Sequence, residues 1–205
     1  MILLAPAACG GASVSPSPSG AIGSPAAPAS PAATTPAASS PSAAPSVPAD
    51  GSTASPVIAI DPSLLAVLPA QLDGLDRQHD PSIDPGAFSD PSLPGIATGG
   101  VTALYIDPPT GQFAYAAVVR LATGHLTDAQ FRDWRDTFDA GACAQAGGVG
   151  GHAESTIGGH DTFIGTCAGG LTTYHTILPS KGLLVSISAV GDRRLGEKLV
   201  AALPS

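Results

Sequence analysis

Basic residues are scarce in this chain: eight Lys and Arg stand against sixteen Asp and Glu over 205 residues. Cations that few build no basic patch, which excludes nucleic acid and anionic head groups as electrostatic partners. Long apolar runs are missing too. No stretch approaches the roughly 20 apolar residues needed to span a bilayer, so membrane attachment has to come through a lipid or a signal segment. Aromatics make up only 4%, and none precedes Phe88. There is no Gly-x-Ser-x-Gly elbow, no P-loop and no Gly-x-Gly-x-x-Gly between strand and helix. The glycines at 147, 148, 150 and 151 precede a strand, where they make no phosphate cradle. No cofactor is implied.

Residues 12–56 lack charge except for Asp50, and lack large aliphatics except for Val14, Ile22 and Val47. They hold ten of the 21 prolines among Ala, Ser, Gly and Thr. So little apolar surface cannot offset the entropy of ordering the chain. The composition predicts a disordered Pro/Ala/Ser linker with polyproline bias, reaching on the order of 100 Å when extended. Residues 57–205 carry all eight cations and fifteen of the acids. Their length fits one globular domain with its own core, soluble by its acidity and expected to be a monomer.

The N-terminus reads Ala5-Pro6-Ala7-Ala8-Cys9-Gly10-Gly11 after Met1-Ile2-Leu3-Leu4. Ala7, Ala8, Cys9 and Gly10 resemble the lipobox of a bacterial lipoprotein. With the linker behind them, the resemblance is to lipoproteins of the high-GC Gram-positive type. It implies that residues 1–11 are a truncated or atypical signal peptide and that Cys9 is diacylated, which anchors the chain firmly. Pro6 stands where that family has a Leu-like residue, and no basic segment precedes the apolar run. The implied address is extracytoplasmic, lipid-anchored at the cell membrane or secreted.

Within 57–205, Asp61-Pro62-Ser63 has the form of a helix start that Pro69 stops. Residues 72–100, rich in Asp, Pro and Gly, read as loop with one short helix. Val101–Ile106 and Phe113–Leu121 read as a hairpin. Thr127 and Gln130 form a capping box, with Leu126 and Phe131 as the hydrophobic staple. Phe131, Trp134 and Phe138 make the apolar stripe of that helix, and Arg132, Asp133, Arg135, Asp136 and Asp139 its wet side. Gly141 is expected to end it near Cys143. Strands follow at 153–157, 160–168, 171–178 and 183–190, then a helix capped by Asp192. The order α-ββ-α-ββββ-α is an α+β fold, an antiparallel sheet of about six strands packed with helices. That order resembles the PsbP/Mog1-like sandwich.

Turns fix register, and register fixes faces. Taking Gly169-Gly170 and 179–182 as turns puts Phe163, Cys167, Tyr174, Val185, Ile187 and Ala189 on the core face. Cys167 can then meet Cys143 at the helix end. A Cys143–Cys167 disulfide closing about 25 residues contributes roughly 3 kcal/mol and fits an oxidising compartment. The opposite face carries Ile164 and a polar stripe of His160, Thr162, Thr166, Thr173, His175, Ser186 and Ser188. An antiparallel sheet ordinarily shows such a face to solvent, but the stripe is also the candidate binding face. His152, Glu154, His160 and Asp161 look like zinc ligands, yet His160 points away from the other three. Asp73, Asp76, Asp80, Asp84 and Asp90 lack calcium-loop spacing and sit in turns.

Two functions follow. The leading one is a non-enzymatic surface module that binds an unknown ligand or envelope protein. The rival is an extracytoplasmic hydrolase or metal-dependent enzyme using His160 or His175 beside Ser or Thr. A pocket uniting His175, Ser186 and an acid would favour the rival.

Overall fold

A computed structural model describes residues 58–90 and 93–205. The lipobox-like Cys9, the linker 12–56 and the domain start at 57 lie outside them. The fold is α+β, a seven-stranded mixed sheet packed with helices. In chain order the elements are β1 (Ala59–Ile60), β2 (Gln71–Leu72), β3 (Leu75–Asp76), α1 (Asp84–Ala87), β4 (Ala97–Asp107) and β5 (Gln112–Leu121). They continue with α2 (Asp128–Cys143), β6 (Val149–Ile157), β7 (His160–Cys167), β8 (Thr172–Leu178), β9 (Leu183–Val190) and α3 (Leu195–Ala201). The sheet runs β1-β4-β5-β9-β8-β7-β6, with β2 and β3 forming a separate hairpin.

The sequence expectation of six antiparallel strands misses β1, which pairs parallel with β4 at the sheet edge. Two residues are too short to carry a periodic signal. The first helix is a 3-10 turn, Pro62–Val67, with Asp61 accepting from the Ser63 amide. The loop at 72–100 hides the β2–β3 hairpin, whose turn puts Asp73 and Gly74 at φ 53° and 80°. Arg194, not Asp192, stands at the N-cap position of α3, with a left-handed backbone and no side-chain capping bond.

α2 starts as its residues dictate. The Thr127 side chain accepts from the Gln130 amide, and the Gln130 side chain returns to the Thr127 amide. The helix runs past Gly141 to Cys143 and stops after a 3-10 turn at left-handed Gly147.

Both faces of the sheet are covered. On one face, Val101, Tyr105, Val118, Ile187 and Tyr174 pack against Leu64 and Leu68 from the 3-10 turn and its end, and against Leu195, Leu199 and Leu203 from α3 and the residues after it. On the other, Val119, Ala117 and Leu184 pack against Trp134 of α2 and against Phe88 and Leu93. The sheet is therefore the middle of three layers. Neither face is the open polar surface expected from the sequence.

Candidate functional site

The register of β7 against β8 decides where the polar stripe goes. The turn after β7 is Ala168-Gly169-Gly170: the Cys167 amide donates to Leu171 O, and Gly170 sits at φ 83°. Three turn residues replace the expected two, so Ile164 pairs with Tyr174 and Phe163 with His175. A one-residue slip carries a whole strand to the other face. The expected stripe is thus split. His160, Thr162 and Thr166 share the α3 side with Ile164, Tyr174 and Ile187. Thr173, His175, Ser186 and Ser188 lie on the α2 side with Phe163 and Cys167. Of the first set, His160 is buried with Nε2 3.1 Å from Leu203 O, Thr162 donates to His160 O, and Thr166 donates to Gly151 O.

The second set converges beneath α2 around Asp139. Its carboxylate is fully buried and accepts from Thr173 Oγ1 at 2.5 Å. His175 Nε2 lies 2.8 Å from Oδ1, and His152 Nε2 lies 3.1 Å from Oδ2. His175 Nδ1 is 2.9 Å from Ser186 Oγ, which also accepts from Trp134 Nε1 at 2.8 Å. A carboxylate only accepts, so Nε2 carries the His175 proton. In the neutral ring Nδ1 accepts from the Ser186 hydroxyl, and in the charged ring it donates to that oxygen. The relay Trp134–Ser186–His175–Asp139 is fully satisfied in the neutral tautomer. Burial pushes the Asp139 carboxyl up, but the hydrogen bonds from His175 and Thr173, the His175 ring and His152 outweigh it and hold the group below its usual 3.8. Phe138 closes over His175 edge-on at 5.2 Å. Gly165 faces the same cluster, and the space a Cβ would take is filled by Asp139 and Thr173.

Asp139 does not line the wet side of α2 with Arg135, as their i, i+4 spacing suggests. Arg135 pairs with Asp136 and stacks 3.6 Å over the Phe163 ring. The signal for Asp139 is in the sequence all the same. It lies four residues before Cys143, so an inward Cys143 turns Asp139 inward as well. The sulfurs of Cys143 and Cys167 are bonded, with their Cα atoms 5.2 Å apart, tying the end of α2 to the end of β7.

Beside the relay, α2 and the residues around α1 leave a cleft of about 530 Å³ over β5 and β9. Phe113, Tyr115 and Ala117 line it from β5, Ser188 from β9, and Trp134, Thr137 and Phe138 from α2. Gly86, Ala87, Ser89 and Asp90 form the opposite wall. Burial pushes the Tyr115 phenol up; a hydrogen bond with Thr102 opposes this and the Asp84 charge adds to it. Asp84 is itself fully buried, holding the Thr102 amide and hydroxyl at 2.9 and 2.6 Å and His79 Nε2 at 2.8 Å. The cleft thus has aromatic walls and few polar groups. Of the polar stripe only Ser188 lines it. The aromatic stripe Trp134/Phe138, expected to be core alone, is both core and wall.

The remaining acids are scattered. Asp73 binds Arg193 and Lys198, Asp76 binds Gln71, and Asp80 binds Ser82. His152 and Glu154 share a face with Asp161, and His160 points the other way. Among the described residues no three His, Cys, Asp or Glu side chains are grouped to hold a metal, and no helix is long and apolar enough to cross a membrane. Compared with known proteins, the chain matches no family model, no curated protein and no solved structure, the PsbP/Mog1-like sandwich included.

Proposed function

We propose that this domain binds a small apolar or aromatic molecule in the cleft between α2 and the sheet, as an exported, lipid-anchored surface module. The cleft carries the reading. A volume of about 530 Å³ with walls of Phe113, Tyr115, Trp134 and Phe138 has the size and lining of a small-molecule site. The lipobox-like N-terminus and the disulfide support the extracytoplasmic address.

One observation favours the hydrolase reading: Asp139, His175 and Ser186 stand in the order acid, base, nucleophile. Its weight is small. Ser186 and His175 are both fully buried, Trp134 Nε1 occupies the serine oxygen, and Phe138 shields the histidine. A nucleophile needs a substrate carbon within reach, and Ser186 does not line the cleft.

Trp134 is the only tryptophan in the chain, so its fluorescence reports on the cleft directly. Titration with the apolar probe N-phenyl-1-naphthylamine is expected to quench Trp134 with a dissociation constant in the micromolar range, on the order of −8 kcal/mol. Ala142→Phe, which fills the cleft, is expected to abolish the quenching. Unchanged Trp134 emission would overturn the binding reading. A burst of product from p-nitrophenyl acetate, lost in Ser186→Ala, would put the hydrolase in its place.

A further inference from the structure

β6 is the last strand of the sheet, and among the described residues nothing pairs with its outer edge. All nine of its residues are exposed or half-buried. Natural edges are usually blunted by Lys, by Pro or by a bulge. Val149–Ile157 contains neither Lys nor Pro, and its single irregularity lies at one end, between Val149 and Gly151.

The hairpin turn shows which backbone groups are free. Gly158 and Gly159 both have positive φ and close the hairpin at the Ile157–His160 pair. A two-residue turn of this kind makes the closing pair a hydrogen-bonded one. Alternation then directs the backbone groups of Ile157, Ser155, Ala153 and Gly151 at β7, and those of Thr156, Glu154 and His152 outward. The Cys167 amide, which donates across to Leu171 on the β8 side, fits the same alternation along β7.

Outward-pointing residues can be matched with a second β6 in three central registers. One sets His152 opposite His152, another Glu154 opposite Glu154. The third, with Ala153 on the two-fold axis, sets His152 opposite Glu154 twice. Two carboxylates directly opposite repel, and of the three only the third register gives each Glu154 an imidazole ring nitrogen opposite it. The third register also places Gly151 against Ser155, two small residues. We propose that β6 pairs antiparallel with β6 of a second copy of this chain, centred on Ala153, so that two sheets continue as one. This departs from the monomer expected from the sequence. It is independent of what the cleft binds.

The test uses the full chain with Cys9→Ser to remove the leftover thiol. Ala153 meets itself at a non-hydrogen-bonded pair, where Cα atoms lie about 4.5 Å apart, within disulfide reach. Ala153→Cys is therefore expected to oxidise to a covalent dimer, and Ser155→Cys, opposite Gly151, to remain a thiol. Sedimentation equilibrium at about 100 μM chain, between the millimolar and micromolar dissociation constants of weak association, should show a species of twice the 20.0 kDa chain mass. Glu154→Lys, at an exposed position, should weaken association at least tenfold with an unchanged circular dichroism spectrum. A chain that stays monomeric at all concentrations would overturn the proposal. So would a dimer that ignores Glu154→Lys and leaves position 153 uncrosslinked, since another surface would then carry it. Recruitment of a different extended segment to β6 without self-association would overturn it as well.

Discussion

Asp139 gathers three side-chain partners, of which Thr173 and His175 are fully buried with it. Replacing it with Asn leaves the Thr173 hydroxyl and the His175 and His152 rings around a neutral amide inside the protein. Hydrogen bonds to charged groups contribute about 1.5–3 kcal/mol each. Breaking a buried charged cluster from one side costs about 3–5 kcal/mol. Asp139→Asn is therefore expected to lower unfolding free energy by about 3 kcal/mol in urea at neutral pH. The pH dependence follows from the depressed carboxyl. Its folded value lies below the unfolded 3.8, so the native chain holds fewer protons in that interval. The stabilisation is complete above 3.8 and fades as pH falls through the lowered native value. Stability of the wild type should thus drop more steeply below pH 3.8 than that of Asp139→Asn; parallel acid limbs would assign the acid sensitivity elsewhere. The network was half legible. Thr173, His175 and Ser186 stand on one face because β8 and β9 meet in the register expected from 179–182. Their acid was hidden by a helical wheel on which Asp139 looked paired with Arg135.

At the scale of elements, residues with strong local chemistry were readable. Thr127 and Gln130 predict the start of α2, and the β8–β9 turn sets its strands correctly. The failure at β7 has a definite cause. Two glycines in a row suggest a two-residue turn, but Gly169 keeps an ordinary φ and only Gly170 is left-handed. The third turn residue, Ala168, carries no signal of its own. Cys167 survives that error because either face of β7 finds a layer against it. The disulfide then joins two cysteines 24 residues apart in sequence, one at the end of α2 and one at the end of β7. Cys143→Ser with Cys167→Ser is expected to destabilise the domain by roughly 3 kcal/mol, from the entropy returned to the unfolded chain. Gly141 and Ala142, which line the cleft, precede Cys143 directly. The double variant should therefore bind N-phenyl-1-naphthylamine more weakly even where it is fully folded. Full binding by the folded variant would separate the staple from the cleft.

Over the whole molecule, composition gave the class and missed the layering. A face bearing His, Thr and Ser looked wet, yet its residues are divided between the two sides of the sheet, and α2 buries Thr173, His175 and Ser186 completely. Polar strand residues at every second position cannot distinguish solvent from a buried hydrogen-bond network, because both satisfy their donors. The proposed address rests on Cys9. Metabolic labelling with an alkynyl fatty acid should mark the full chain, and Cys9→Ala should lose the label; equal labelling of both would remove the lipid anchor. Among the described parts, α2 is held at its first turn by the capping box, at its middle by the Trp134–Ser186 hydrogen bond, and over its last turn by Asp139 and the disulfide. The facing wall of the cleft is built around the four-residue α1, anchored through Asp84 and through buried Phe88 just after it. Local opening is easiest where few contacts must break. Amides of α2 should then exchange with solvent only through global unfolding, while those of Asp84–Ala87 exchange by small fluctuations. Ligand entry and departure would be timed by that short segment, with α2 serving as the stationary jaw.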